Sequence, residues 1–302
     1  MAVLERLLTL LAVLLAGTAL RWLGILVDRR IELLNTVTYN IALPALIFTA
    51  TYDRSVLSVL TGTLLEGLVI VVVGTVLVGW VLTRGESTTA RRSVALVQSY
   101  HANIGYLGLP LVAATFNDHV TAIASVILGV VALIQVPMTI VVLSSMNDSS
   151  AQLRSELRQL LTNPVLVSLI LGLGVGTTGV GVPPVIAGGL DAIGGTALWL
   201  ALLCVGGALS IERSAIDPWA TARVVAVKIA WMPLFAWLVF SILAVDHATF
   251  TASVVLFGTP TAVSTYVYSS ELGGDDTFAS INVFVTTVLS IGSLFVLIRL
   301  VQ

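Results

Sequence analysis

The chain has 302 residues, 57% of them hydrophobic and 10% charged, with a formal net charge of −2. Soluble domains carry roughly 25% charged residues, so this composition, with a mean hydropathy of +1.05, excludes an ordinary soluble protein and indicates a chain that lives in lipid. The slightly acidic balance leaves no basic field for nucleic acid. The single cysteine, Cys204, excludes a disulfide framework or a thiolate metal site and reads as a small buried packing residue.

At roughly 20 residues per membrane span, the length accommodates about ten helices in a single transmembrane domain covering 1–302. Apolar stretches place spans near 4–21, 31–51, 59–82, 93–115 and 120–145, then 164–181, 186–209, 219–243, 248–269 and 277–300. Glu5 and Arg6 ahead of the Leu7 to Leu15 run have the look of a signal peptide, but the segment is read as the first span, because the halves match only if it is kept. The longest hydrophilic stretch, Ser144 to Asn163, divides a first half, 1–147, from a second, 160–302.

Short loops retained in the cytoplasm are rich in basic residues. The loops after spans one, three, five and seven carry Arg21, Arg29, Arg30, Arg84, Arg91, Arg92, Arg154, Arg158, Arg213 and Arg223, whereas the even loops carry only Arg54. Both termini of this multi-pass cell-membrane protein are therefore expected on the extracellular side. Five spans per half makes each half enter the membrane from the opposite face, which is the parity of an inverted repeat.

Spans four and nine are each interrupted at their centre by polar residues, Gly and Pro. The first interruption lies in Gln98-Ser-Tyr-His-Ala-Asn-Ile-Gly-Tyr-Leu-Gly-Leu-Pro110, the second in Phe257-Gly-Thr-Pro-Thr-Ala-Val-Ser-Thr-Tyr-Val-Tyr268. An unpaired backbone group in hydrocarbon costs several kcal/mol, so a broken helix persists only where protein buries it or where it lines a cavity. Two such breaks in corresponding positions point to the binding site of a secondary transporter.

These segments, with Asn40-Ile-Ala-Leu-Pro-Ala-Leu-Ile-Phe48, Asn163-Pro164, Pro183-Pro184 and Gly273-Gly-Asp275, resemble the auxin efflux carrier family in the same order along essentially the whole chain. That family includes plant auxin carriers and prokaryotic permeases for small organic anions such as malonate and malate. The resemblance implies an all-α fold of ten transmembrane helices in a five-plus-five inverted repeat, shared with bile acid sodium symporters, in which helices four and nine break and cross. It implies a scaffold of helices 1, 2, 6 and 7, a transport domain of helices 3–5 and 8–10, an anion bound between them, and a homodimer through the scaffold. One departure concerns the first crossover: the plant carriers have Pro-Asn where this chain has Ala102-Asn103. The break in span four then rests on Asn103, Gly105 and Gly108.

Asn103 offers a carboxamide donor for a carboxylate. Thr261, Ser264 and Thr265 follow Pro260 at the start of a half-helix whose N–H groups favour an anion. With Gly105, His101 and Phe48 these form the candidate substrate site; for each hydroxyl the alternative is a bond to a neighbouring turn. His101, of a residue type whose unperturbed pKa lies near neutrality, and Glu66 in span three are the candidates for proton coupling. Lys228 is expected to snorkel to the cytoplasmic interface, Asp191 to sit at a rim or cap, Pro44, Pro137 and Pro233 to kink their helices, and the six tryptophans to form an interfacial belt.

No HExxH, no Gly-x-Ser-x-Gly with a histidine partner and no Gly-rich Lys loop is present, so neither an enzyme, nor a nucleotide-driven pump, nor a bound cofactor or metal is expected. The expected function is alternating-access, elevator-like transport of a small organic anion, coupled to H+ or Na+ or driven by the membrane potential. The alternatives are a sodium-coupled symporter of the bile-acid-carrier type, with Gln98, Asn103, Thr261 and Glu271 among the oxygen ligands, and a non-transporting sensor on the same fold.

Overall fold

The computed structural model describes residues 2–53, 59–149, 162–208 and 217–302. Arg54, Arg154, Arg158 and Arg213 of the charge argument, and most of the divide between the halves, lie outside the described residues. Within them the chain folds as α1 (Ala2–Trp22), α2 (Asp28–Thr51), α3 (Gly62–Leu82), α4 (Thr89–Tyr100), α5 (Ile104–Thr115), α6 (Asp118–Met146) and α7 (Pro164–Thr178), followed by α8 (Pro184–Gly194), α9 (Ala197–Ala208), α10 (Pro218–Ile242), α11 (His247–Phe257), α12 (Ser264–Glu271) and α13 (Asp276–Val301). Among the described residues six helical stretches are long and apolar enough to cross a membrane, α8 and α9 counting as one; Ala12–Trp22, Ile104–Thr115, Pro164–Thr178 and His247–Phe257 are shorter apolar helices. Helix is the form expected in lipid, because it satisfies every backbone group within its own segment.

The helix starts are written in the sequence. Thr61, Thr88, Asn117, Asn163, Asp217, Asp246 and Asp275 each occupy an N-cap and accept a hydrogen bond from a backbone N–H of the first turn. Three prolines inside helices share a different device. The backbone widens into a π turn at Thr38–Ala42, Ile104–Gly108 and Ala226–Trp231, and each turn ends two residues before a proline, Pro44, Pro110 and Pro233. A proline ring collides with the carbonyl four residues back and cannot donate to it; widening the preceding turn re-routes those bonds, so α2 and α10 run on as continuous helices. Pro137 lies within α6 without such a turn.

Hydrophobic burial does not draw helices together in lipid; close packing does, through small residues that let backbones approach. On α1, a Cβ at Gly17 would stand 2.5 Å from the carbonyl oxygen of Leu203, and one at Gly206 on α9 would stand 2.0 Å from that of Leu14. The Thr18 hydroxyl donates to the Gly206 carbonyl across the same seam at 2.9 Å. Similarly, Gly172 of α7 and Gly194 of α8 admit the backbone or side chains of α2 where a Cβ would lie within 3 Å of them. Thus α1, α2, α7, α8 and α9 pack on one another, while α6, α10, α11 and α13 pack around α3 to α5 and α12.

At one end of the molecule the Arg223 guanidinium pairs with Glu86 at 2.8 Å and Arg91 with Asp217 at 3.5 Å, joining the α3–α4 loop to the start of α10. The hydrogen bond from the Ala220 N–H, and then the nearby Arg91, hold the Asp217 carboxyl below the ordinary carboxylate range. Arg92 stacks over Trp80 with 4.5 Å to the ring centroid. Trp22 and Trp219 are among the most exposed large side chains.

Lys228 departs from expectation. It does not snorkel to an interface: the side chain is 0% exposed, within the π turn of α10, and its Nζ donates to the carbonyl oxygen of Phe257 at 2.9 Å. Its stem reaches inward to a backbone carbonyl instead of outward to the interface. Asp191 is exposed and lies within α8, three residues from its end, rather than capping its start.

Candidate functional site

The two interrupted segments meet. Ala102 and Thr261 form an isolated antiparallel bridge, in which the Asn103 N–H donates to the Pro260 carbonyl at 2.8 Å and the Ala262 N–H to the His101 carbonyl at 2.9 Å. Each break thereby supplies partners for backbone groups that the other leaves free, the accounting that membrane depth demands.

A glutamine completes this junction. Gln135, 2% exposed on α6, accepts from the Ala102 N–H through Oε1 at 3.2 Å and donates from Nε2 to the Tyr100 carbonyl at 2.7 Å. The break in the first segment is therefore clamped from α6. Gly105 and Gly108 lie in the π turn that follows, and Gly108 serves packing, since a Cβ there would meet Leu256 at 2.8 Å. Asn103 itself, at φ −79° and ψ 58°, is the centre of an inverse γ-turn closed by the Ile104 N–H on the Ala102 carbonyl at 2.9 Å.

Beside the junction lies a cavity of about 370 Å³ bounded by α2, α5, α6, α7, α9 and α12, within the range of pockets that hold small molecules. Its lining is mainly apolar, with Leu43, Leu128, Val131, Leu166, Val205 and Val267; Tyr39, Tyr106 and Tyr268 add aromatic faces, and among the described residues neither lysine nor arginine contributes. Tyr39 and Tyr106 stack with centroids 5.9 Å apart and planes 10° apart, and Asn163, the N-cap of α7, donates to the Tyr39 hydroxyl.

The sequence-predicted residues divide into two groups. Asn103, His101, Gly105 and Ser264 line the cavity. Asn103 is 4% exposed, and its Nδ2 is buried without a hydrogen-bond partner. The His101 ring is held through Nδ1 by the Thr139 hydroxyl at 2.8 Å, and Thr139 also meets the Tyr100 hydroxyl at 3.2 Å. By contrast, Pro260, Thr261 and Thr265 are buried inside the junction and do not line the cavity. The Thr261 hydroxyl donates to the His101 carbonyl at 3.3 Å, and Thr265 donates to the Ala262 carbonyl at 2.6 Å. Phe48 is half-buried and stacks on Tyr52, away from the cavity. Glu66 is exposed on α3 and lines none of the cavities described here.

Of the oxygens considered for a sodium site, those of Gln98 and Thr261 are hydrogen-bonded within the protein. Gln98 donates to Thr265 Oγ1 at 3.1 Å and to the Ala279 carbonyl at 2.9 Å, and accepts from Asn282 at 2.8 Å. Glu271 is exposed at the end of α12. Gln135, Thr139, Tyr39, Tyr106 and Lys228 were not among the predicted site residues; the signals that sequence offered were a glutamine amid a mainly apolar helix and, for Lys228, a charge within a span.

The whole chain also has counterparts among known proteins. Residues 2–298 match the family described as membrane transport protein. The chain belongs to that family. This agrees with the resemblance to auxin efflux carriers read from the interrupted segments. A transporter from Methanothermobacter thermautotrophicus, described as uncharacterized, is 26% identical over 307 aligned residues, covering 96% of this chain and 95% of the relative. Membership of the membrane transport protein family, together with several long apolar helices, makes this a multi-pass membrane protein.

Two further cavities flank the first. One of about 400 Å³ shares Asn35, Val205 and Val263 with it and reaches Arg21, Asp28 and Ser280. Another, of about 510 Å³, lies farther along α2 and α5, lined by Leu46, Thr49, Asp53, Pro110, Asp118 and Asp191. On α2 the main cavity ends at Leu43 and the last begins at Leu46; on α5 the corresponding residues are Tyr106 and Pro110. About one helical turn on each side separates them.

Proposed function

We propose that this protein is a secondary transporter for a small organic monoanion, which binds in the 370 Å³ cavity with its carboxylate on the Asn103 amide. The observation that carries this reading is Asn103, a residue of the cavity wall whose buried Nδ2 has no partner in the protein. A buried donor left unpaired costs roughly 1–3 kcal/mol, a cost that a substrate carboxylate removes. The first N–H groups of α5, at Gly105 and Tyr106 on the cavity wall, add the positive end of a helix dipole. With no fixed cation in the lining, these donors suit one negative charge better than two, and the apolar and aromatic walls suit a hydrocarbon or ring body.

In this reading the ten spans form two inverted five-helix halves, and α4–α5 and α11–α12 are the broken fourth and ninth spans crossing at the bilayer centre. Helices α1, α2 and α7 to α9 form the scaffold; the remaining helices carry the substrate. The wall of Asn35, Val205 and Val263 that the main cavity shares with the one reaching Arg21 supports an inward-facing state, with basic loops cytoplasmic and both termini outside. Movement of the carrier body by one turn past α2 would exchange access from that mouth to the cavity lined by Asp118 and Asp191. Organic-anion transport by a homodimer is the corresponding expectation at the level of the assembly.

The test is uptake of radiolabelled mono- and dicarboxylates into proteoliposomes under an imposed membrane potential. Saturable uptake of a monocarboxylate with an apolar body, exceeding that of dicarboxylates, is the expected result. Absence of uptake across the panel in either potential would refute the reading.

A further inference from the structure

Phe257 is the last residue of α11, and its carbonyl oxygen faces the interior of the protein at the junction. The donors that normally finish such a helix end are missing. Gly258 N–H takes the Val254 carbonyl, and Thr259 takes the Leu256 carbonyl with both its N–H and its hydroxyl. Three residues after Phe257 stands Pro260, which has no N–H. One residue later the Thr261 N–H turns to the Thr286 hydroxyl. Four carbonyls at a helix C-terminus lack intrahelical donors, and their dipoles sum to about half a negative charge. At this end the gap is filled by the Lys228 ammonium at 2.9 Å.

Lys228 is fully buried and lines none of the cavities described above. Among the described residues no carboxylate forms an ion pair with it. The helices packed on its π turn are α3, α4 and α13; their charged groups, Glu66, Arg91, Arg92, Asp276 and Arg299, lie toward helix ends, and the titratable side chains nearest the junction are Tyr100 and His101. An uncompensated charge at membrane depth is costly, and its persistence calls for a function.

We propose that Lys228 is a tethered monovalent cation: it neutralises the carbonyl end of α11 beside the substrate site, by covalent attachment doing what a metal ion bound from solution would otherwise do. The carrier accordingly moves its anion without sodium. Once the lysine side chain is removed, the buried Phe257 carbonyl is left as an unpaired acceptor that a free cation can occupy. This inference rests on the transport reading only for its consequence for coupling; the cation site itself is tested by stability.

The experiment is thermal unfolding of the detergent-purified full chain in sodium, ammonium and choline chloride at equal ionic strength, for the wild type, Lys228→Ala and Lys228→Met. The wild type is expected to melt at one temperature in all three. Lys228→Ala should melt lower in choline and recover in ammonium or sodium, whereas Lys228→Met, whose side chain fills the space, should melt lower in every salt. Selective stabilisation of the wild type by sodium, or a Lys228→Ala protein indifferent to cations, overturns the proposal. If Lys228→Ala does not fold, Lys228→Met decides: its uptake should fall at least about tenfold, and unchanged uptake and melting overturn the proposal. A wild type that transports no anion leaves this stability test intact and fails only the transport reading.

Discussion

The two helix breaks that meet at the centre of this protein solve one problem with different chemistry. In the break between α11 and α12, Pro260 removes a donor, and the groups around it are satisfied inside the protein: Thr261 by the His101 carbonyl and Thr286, Phe257 by Lys228. In the break between α4 and α5 no proline is present, the backbone is held from outside by Gln135, and Asn103, on the wall of a cavity, has an amide Nδ2 without a partner. The break marked by proline is closed on itself, and the break without one retains an unspent donor.

The largest way to disturb this contrast is Gln135→Leu. It leaves the Ala102 N–H and the Tyr100 carbonyl unpaired in the interior, each worth roughly 1–3 kcal/mol, so the protein should lose about 2–6 kcal/mol of stability and its ligand binding together. Unfolding of the purified protein measures this, and a loss below about 1 kcal/mol would mean that α6 does not hold the break.

Next in size is Asn103→Ala, which separates function from stability. A hydrogen bond to a charged group contributes about 1.5–3 kcal/mol, so carboxylate affinity should fall by roughly one to two orders of magnitude. The melting temperature should stay within about 1 °C or rise, because the lost amide N–H has no partner in the protein. A stability loss with unchanged affinity would move Asn103 to the structural side of the comparison.

Smaller still is Thr261→Val. The His101 carbonyl keeps its bond from the Ala262 N–H, so only about 0.5–1.5 kcal/mol of stability should be lost, with affinity nearly unchanged. An affinity loss equal to that of Asn103→Ala would erase the distinction between the two breaks. The smallest effect lies at the molecule's end, where the lowered Asp217 carboxyl contributes stability that is present above its unfolded value and is lost as pH falls through its folded one. Asp217→Asn should flatten that acid limb in a pH series of melting curves; an unchanged limb would leave Asp217 without a role in it.

Helical class, the interruption of two spans, and Asn103 and His101 at the first interruption were legible in the amino-acid order, because composition and local backbone chemistry fix them. The mutual pairing of the breaks was not, since it joins Ala102 to Thr261 across 159 positions (261 − 102). Thr261 and Thr265 read as ligands because a hydroxyl after a proline looks the same whether it faces a cavity or a carbonyl. Lys228 read as interfacial because its closeness to Arg223 and its long stem are visible in sequence, while the inward direction of its side chain, onto the Phe257 carbonyl, is not. Glu66 read as a candidate proton carrier because depth along a helix is visible in sequence while the direction its side chain faces is not.

The central claim is that the anion is held by the proline-free break. The measurement that tests it most directly is the thermal shift produced by a panel of monocarboxylates on purified wild type, Asn103→Ala and Thr261→Val protein, since a ligand that binds only the folded state raises its stability. The account predicts a concentration-dependent rise for the wild type and Thr261→Val and none for Asn103→Ala. An undiminished rise for Asn103→Ala, or its loss in Thr261→Val alone, would contradict it.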